Sequence, residues 1–135
     1  SISNWFKTLG ARPGGNGISD LIGRSMNYDM DEAVIDLALG NRPACSIAGK
    51  VTPCGAVVFG SPKAGRLARL ASMEDIRRVE PSVFNMQLAF KPGDHVDTFD
   101  NNANSVGYAA FDIPDGQSYT TIAARFLDCL NLVVE

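Results

Sequence analysis

Residues 83–90, VFNMQLAF, show the clearest two-residue alternation in the chain. The apolar side chains of this run fall on one side of an extended backbone: Phe84, Met86, Leu88 and Phe90. Asn85 and Gln87 fall on the other side, which is the pattern of a strand with one buried face. Residues 105–113, SVGYAAFDI, are the predicted partner strand, and a polar loop over 91–104 joins the two.

Two more short strands are predicted in the middle of the chain, where apolar runs are bounded by turn residues. They are ACSIAGKV over 44–51 and GAVVFG over 55–60, around a Thr-Pro-Cys-Gly turn at 52–55.

Helical spacing of apolar residues predicts helices on both sides of these strands. The best signal follows Asp29, which with Glu32 makes a capping pair, and it ends at Gly40. The apolar stripe of this helix consists of Met30, Val34, Leu37 and Ala38. Residues 62–79 are predicted as one kinked helix or two short ones, with a second start at Ser72. The remaining predicted helices begin near Ser3, at Ile18, and at Ser118 or Thr120.

Size and composition are those of one globular domain: 135 residues, 45% hydrophobic, with a formal net charge of −3. The order of elements predicts an α/β (α+β) class, with a small mixed sheet of about four strands flanked by helices. The domain covers residues 1–135, and 10–17 form a hinge or linker within the N-terminal helices of 1–40. No apolar run approaches the ~18 residues that a membrane span needs. The three cysteines are expected to be free thiols in a reducing cytoplasm: Cys45, Cys54 and Cys129.

The last predicted helix has a wide apolar face that contains Ile122, Phe126 and Leu130. Such a face needs cover, either from the chain's own sheet or from another subunit. Trp5, on the first predicted helix, is either a core residue or an anchor in a partner's pocket. These four residues form the predicted interface of a homodimer. The apolar end LVVE, residues 132–135, favours a terminus that docks or a chain that continues.

Five of the twelve Lys and Arg residues lie within sixteen positions: Lys63, Arg66, Arg69, Arg77 and Arg78. Arg66 and Arg69 are three apart and would share one helical face. An RNA-binding module is one interpretation, because nucleic-acid contacts begin with local positive charge. A solvated helix face with acidic neighbours is the other.

The only histidine, His95, lies in an acidic loop with Asp94, Asp97, Asp100 and Asn101. A small hydrolase or a metal-dependent enzyme centred on the histidine and its acidic neighbours is a further alternative. We favour a polar loop that charge keeps soluble, because the spacing matches no metal-loop pattern. We therefore predict no catalytic residue, no metal site and no cofactor.

Residues 37–58, LALGNRPACSIAGKVTPCGAVV, resemble the minor inner-capsid assembly protein of the double-stranded RNA bacteriophages, the cystoviruses. The resemblance implies a dimeric αβ protein without enzymatic activity, which assists capsid assembly and RNA packaging and stabilises the polymerase complex. The implied partners are a second copy and the viral capsid or polymerase proteins, in the inner capsid or the host cytoplasm. The family supplies no catalytic residues to carry over.

Overall fold

The computed structural model describes residues 14–43 and 49–135, which hold helices and two small sheets. The helices are α1 (Ile18–Met26), α2 (Met30–Ala38), α3 (Met73–Val79) and α4 (Tyr119–Cys129). The strands are β1 (Cys54–Phe59), β2 (Gly65–Arg69), β3 (Val83–Leu88), β4 (His95–Val96), β5 (Gly107–Asp112) and β6 (Val133–Val134). A short 3-10 helix covers Asn102–Asn104.

The α/β class is confirmed, and the strands divide between two antiparallel sheets. Their strand orders are β1-β5-β3 and β4-β2-β6. The described strands outnumber the predicted ones because β4 and β6 have only two residues each and leave no alternation in the sequence, and because β2 forms where a helix was predicted.

The central strand of the first sheet is β5, which pairs with both β1 and β3. This confirms the predicted pairing of 83–90 with 105–113. Phe111 and Ala109 on β5 are fully buried and belong to the same core as Ile122 and Phe126 of α4. On the other face, the hydroxyl of Tyr108 reaches α1. The sheet therefore lies between α4 and α1.

The alternation along β3 is broken by an irregularity in its pairing with β5, between Val83 and Asn85. The ring of Phe84 lies under the guanidinium of Arg24 from α1, at 5.4 Å. Met86 packs instead against the core on the opposite face. The prediction that Phe84 and Met86 share a face is therefore wrong, because a bulge shifts the pattern by one residue.

The predicted helix starts are confirmed by their capping hydrogen bonds. Asp29 accepts from the backbone amides of Asp31 and Glu32 at 3.0 and 2.9 Å. Ser72 and Ser118 accept from the third residue of their own helices in the same way. These contacts satisfy first-turn donors that no helical carbonyl can reach.

The helix predicted over 62–79 is correct only from Met73 onward. Residues 65–69 form β2 instead, with Leu67 fully buried between β4 and β6. The segment GRLAR has no strong local preference, so pairing with distant segments decides its conformation. Arg66 and Arg69 consequently do not share a helical face.

Several N-terminal and central predictions fall outside the described residues. These include the helix near Ser3, the residue Trp5, the first part of the hinge, and most of the strand predicted over 44–51. Within the described part, residues 49–53 form no strand, and the turn predicted at 52–55 is wrong because Cys54 and Gly55 already belong to β1.

The wide apolar face of α4 is covered by the chain itself. Ile122 and Phe126 are 0% exposed and Leu130 is 2% exposed, all within the core. The structure therefore corrects the prediction that these three residues form a subunit interface, since a partner cannot reach them while the core is closed. The apolar end also docks internally, because β6 pairs with β2 and Glu135 exchanges backbone hydrogen bonds with Arg66.

Within residues 14–43 and 49–135, no helix is long and apolar enough to cross a membrane.

Candidate functional site

A glycine-rich turn packs tightly on the α1 side of the first sheet. Gly17, just before α1, has a φ of 82°, in the left-handed region that favours glycine. A Cβ at this position would lie 2.5 Å from a ring carbon of Tyr108. Both the backbone conformation and the close contact therefore require glycine here.

Directly beside this turn, three polar side chains from distant segments meet. One carboxylate oxygen of Asp20, Oδ2, accepts from the Tyr108 hydroxyl at 3.0 Å and from Asn85 Nδ2 at 2.9 Å. Burial of the phenol, together with its hydrogen bond to Asp20, raises the pKa of Tyr108 to about 12. Tyr108 therefore remains protonated at neutral pH and donates to Asp20.

Two open depressions flank this cluster and share the lining residues Ser19, Asp20 and Asp31, and we call them together the turn cleft. Their volumes are about 480 and 260 Å³. The smaller one is lined by the glycine turn, and the larger one extends along α1 to the start of α2. Ser19 Oγ donates to Asp31 Oδ1 at 3.2 Å and so links the two helices across the cleft.

Arg24, which lines the larger depression, takes part in an ion pair between α1 and β5. Arg24 donates from Nε and Nη2 to the two carboxylate oxygens of Asp112, at 2.8 and 2.6 Å. This paired geometry is the favoured one between guanidinium and carboxylate, and the stacking of Arg24 on Phe84 adds to it.

The turn cleft offers carboxylate acceptors and hydroxyl groups, which suits binding of a polar ligand bearing ammonium or hydroxyl donors. Among the described residues, no three His, Cys, Asp or Glu side chains lie close enough together to hold a metal ion. The residues that line the turn cleft form a polar surface with hydrogen-bond acceptors.

The residues of the predicted basic segment lie on β2, on α3 and in the turn before β2. Arg66 and Arg69 lie on β2, and Arg66 donates to the carbonyl of Gly93 at 3.0 Å. On α3, Arg77 donates to the carbonyls of Val83 and Phe84. Lys63 is exposed in the turn before β2.

Arg78, the last member of the basic segment, forms ion pairs with Glu74 and Asp75 on its own helix. Its charge is thus partly neutralised, as the interpretation of a solvated helix face expects. RNA binding stays a prediction.

The predicted histidine site is open and loosely arranged. His95 lies on β4, and its Nε2 is 3.8 Å from Asp97 Oδ1, with both side chains about 70% exposed. Asp94 accepts from the backbone amide of Lys91, and Asp100 accepts from Asn101 and Asn104. The carboxylates of Asp94 and Asp100 hold local turns, as expected of a polar loop.

No pattern in the sequence predicts the polar cluster of Asp20, Asn85 and Tyr108. Its members are separated by 65 and 88 residues along the chain. The only local signal was Asn85 and Gln87 on the polar side of β3, which marks a face with polar partners but does not identify them.

Comparison with known proteins shows a similarity of fold to two solved structures. No family model matches the chain, and no curated protein matches it. The structure is similar to the crystal structure of L-amino acid ligase from Bacillus licheniformis, with a TM-score of 0.67, 17% identity, and coverage of 93% of this chain. It is also similar to phosphoribosylglycinamide synthetase from Anaerococcus prevotii, with a TM-score of 0.65, 12% identity, and coverage of 90% of this chain.

The chain spans 31% of the length of each of these two proteins. Identities this low establish a shared fold and nothing more specific. Neither protein is a viral capsid component, so the assembly role predicted above stays a prediction.

Proposed function

We propose that this chain is one part of a larger ligase-type enzyme that joins an amino acid to a second substrate. The observation that carries this proposal is the fold: nearly the whole chain superimposes on about a third of each of two such enzymes. One is named for ligating L-amino acids, and the product named in the other is an amide of glycine. An amino-acid substrate is what the two names share.

The turn cleft supports the proposal as one wall of the substrate site. Asp20, held by Tyr108 and Asn85, presents a fixed carboxylate beside the glycine turn that lines the smaller depression. A carboxylate held in this way accepts hydrogen bonds from an ammonium or hydroxyl group of an amino acid.

The rest of the chemistry has to come from elsewhere in the enzyme. An amide bond forms from a carboxylate only after one oxygen has been converted to a good leaving group, and a nucleoside triphosphate is the class of co-substrate that does this. The turn cleft is open to solvent and contributes binding groups only. The nucleotide would therefore be bound by residues of the enzyme other than those that line the turn cleft.

The test compares this chain with the full-length natural polypeptide, which the proposal requires to be longer than these 135 residues. Each is incubated with ATP and pairs of L-amino acids, and amide products are measured by mass spectrometry alongside phosphate release. The longer polypeptide should form an amide product, and the 135-residue chain alone should not. Absence of any amide product from the longer polypeptide would refute the proposal.

A substitution then tests the turn cleft itself. Asp20→Asn in the longer polypeptide should raise KM for the amino acid by about tenfold, which corresponds to the loss of roughly 1.4 kcal/mol of binding. Asp128→Asn, on the exposed side of α4, is the matched control and should leave KM unchanged. Equal effects of the two substitutions would remove the turn cleft from the substrate site.

The viral assembly role remains a separate prediction. It depends on the sequence resemblance of residues 37–58 to the cystovirus protein, and no contact described above bears on it.

A further inference from the structure

Most of the apolar stripe predicted on the second helix is exposed in the structure, but its first residue, Met30, is half-buried. Val34 and Leu37 are exposed, Leu37 to 63%, and Ile35 beside them is exposed to 60%. Ala38 completes this surface, and we call these four residues the α2 face. On α4, by contrast, the apolar residues Ile122 and Phe126 are fully buried. A contiguous apolar surface of this kind normally marks a contact site.

The α2 helix has one main neighbour within the described part of the chain. It packs against α1, and Ala33 is its only buried residue. Asp29 caps its start and Asp31 accepts from Ser19, so this end of the helix is held in place. The helix is therefore anchored along one side while the α2 face points away from α1.

We propose that the α2 face is the docking surface for the part of the ligase-type enzyme that has no counterpart in this chain. The inference rests on the proposed function. The chain corresponds to 31% of each similar ligase, so about two thirds of such an enzyme has no counterpart here and needs a contact with this third. The α2 helix begins at the turn cleft, so docking on the α2 face brings the missing part next to the cleft that it has to complete.

Charge at the edge of the α2 face indicates the character of the partner surface. The helix carries Asp31, Glu32 and Asp36 and no Lys or Arg. None of these three carboxylates takes part in an ion pair among the described residues. An apolar patch with Lys or Arg at its edge is the complementary surface.

The test places one charge on the α2 face and another at an equally exposed apolar position. Leu37→Lys is compared with Val79→Lys, since Val79 on α3 is also 63% exposed. In the 135-residue chain, both variants should keep the thermal midpoint within about 2 °C, because both side chains already contact water. In the longer polypeptide, only Leu37→Lys should lower the midpoint, by about 5 °C or more.

Several results would overturn the docking proposal. One is an equal effect of Leu37→Lys and Val79→Lys in the longer polypeptide, and another is a natural enzyme that consists of these 135 residues alone. A third is a dimer of the chain, seen by sedimentation equilibrium, that Leu37→Lys dissociates, because a second copy would then be the occupant. If the Leu37→Lys polypeptide does not accumulate, Leu37→Ala and Val79→Ala provide the same comparison with a smaller perturbation.

Failure of the docking proposal can be distinguished from failure of the proposed function. Amide formation without a specific effect of Leu37→Lys leaves the ligase function standing and removes the docking surface. A specific effect of Leu37→Lys without amide formation supports a docking surface on the α2 face and removes the ligase function.

Discussion

Replacing Glu80 by Gln tests how the charged network beneath α4 stabilises the fold. The Glu80 side chain is 4% exposed, and its Oε2 is 2.6 Å from Arg125 Nε. Its other oxygen accepts from Ser82 Oγ at 2.6 Å. Gln has the same shape and keeps one oxygen acceptor, but it has no charge. Its amide NH2 group replaces the other oxygen and would face the donor group of Ser82 or Arg125.

The expected cost is about 2 kcal/mol of unfolding free energy. A hydrogen bond to a charged group contributes about 1.5–3 kcal/mol. Arg125 is 45% exposed, so solvent screens part of its charge and the lower half of that range applies. With a urea dependence of about 2 kcal/mol per molar, the unfolding midpoint falls by about 1 M.

The pH dependence provides the sharper part of this test. Burial by itself raises the pKa of Glu80, but hydrogen bonds from Ser82 and Arg125 outweigh it, and the net pKa lies below its ordinary value of 4.5. A carboxyl group with a lowered folded pKa adds stability above its unfolded pKa, and that stability is lost as pH falls through the folded pKa. The difference in unfolding free energy between the native chain and the Glu80→Gln variant should therefore become smaller as the pH is lowered below the ordinary pKa of Glu80.

The assay is urea unfolding followed by circular dichroism at a series of pH values. Glu74→Gln is the control, because Glu74 also pairs with an arginine but its side chain is 77% exposed. That control should cost less than about 0.5 kcal/mol. The reasoning is refuted if both substitutions cost the same at neutral pH, or if the difference for Glu80→Gln does not change with pH.

Two further substitutions test the core and the glycine turn. Phe126→Ala should cost about 3–5 kcal/mol, measured by urea unfolding, because its ring is fully buried against Phe59 at 5.4 Å between centroids; a cost below about 1 kcal/mol would contradict the placement of α4 on the sheet. Gly17→Ala should lower the thermal midpoint by several degrees, because φ is 82° and the added methyl group meets the ring of Tyr108. Gly15→Ala, where a Cβ meets nothing within 4 Å, is the control, and equal shifts for the two would contradict this account of the turn.

Local sequence signals predicted the helix starts correctly where a side chain of the same segment forms the hydrogen bonds to the first-turn amides. The starts of α2 and α3 followed from Asp29 and Ser72, and the start of α4 from Ser118, one of the two caps predicted for it. Each capping side chain bonds to amides within three residues. The pairing of β3 with β5 followed from the alternation in residues 83–90 and from the apolar segment 105–113 that comes next along the chain.

The candidate site could not be predicted from the sequence, because its residues come from segments that are far apart along the chain. His95 and its acidic neighbours form a cluster in the sequence. In the structure, His95 and Asp97 are exposed, and Asp94 accepts a hydrogen bond within a local turn. The cluster of Asp20, Asn85 and Tyr108 is assembled only when α1 crosses the sheet. Hydrogen bonds between segments this far apart follow from the packing of the elements and leave no spacing pattern.

The sequence by itself determined the α/β class, the caps of the helices and the central strand pair, because these depend on interactions within a few residues or on one clear periodicity. Only the tertiary structure decided that residues 65–69 are a strand, since β2 owes its conformation to hydrogen bonds with β4 and β6. It also decided which apolar helix face is covered. The faces of α2 and α4 are similar in sequence, but the sheet covers the face of α4 and leaves the α2 face exposed. That difference arises from the position of each helix relative to the sheet, which no local pattern encodes.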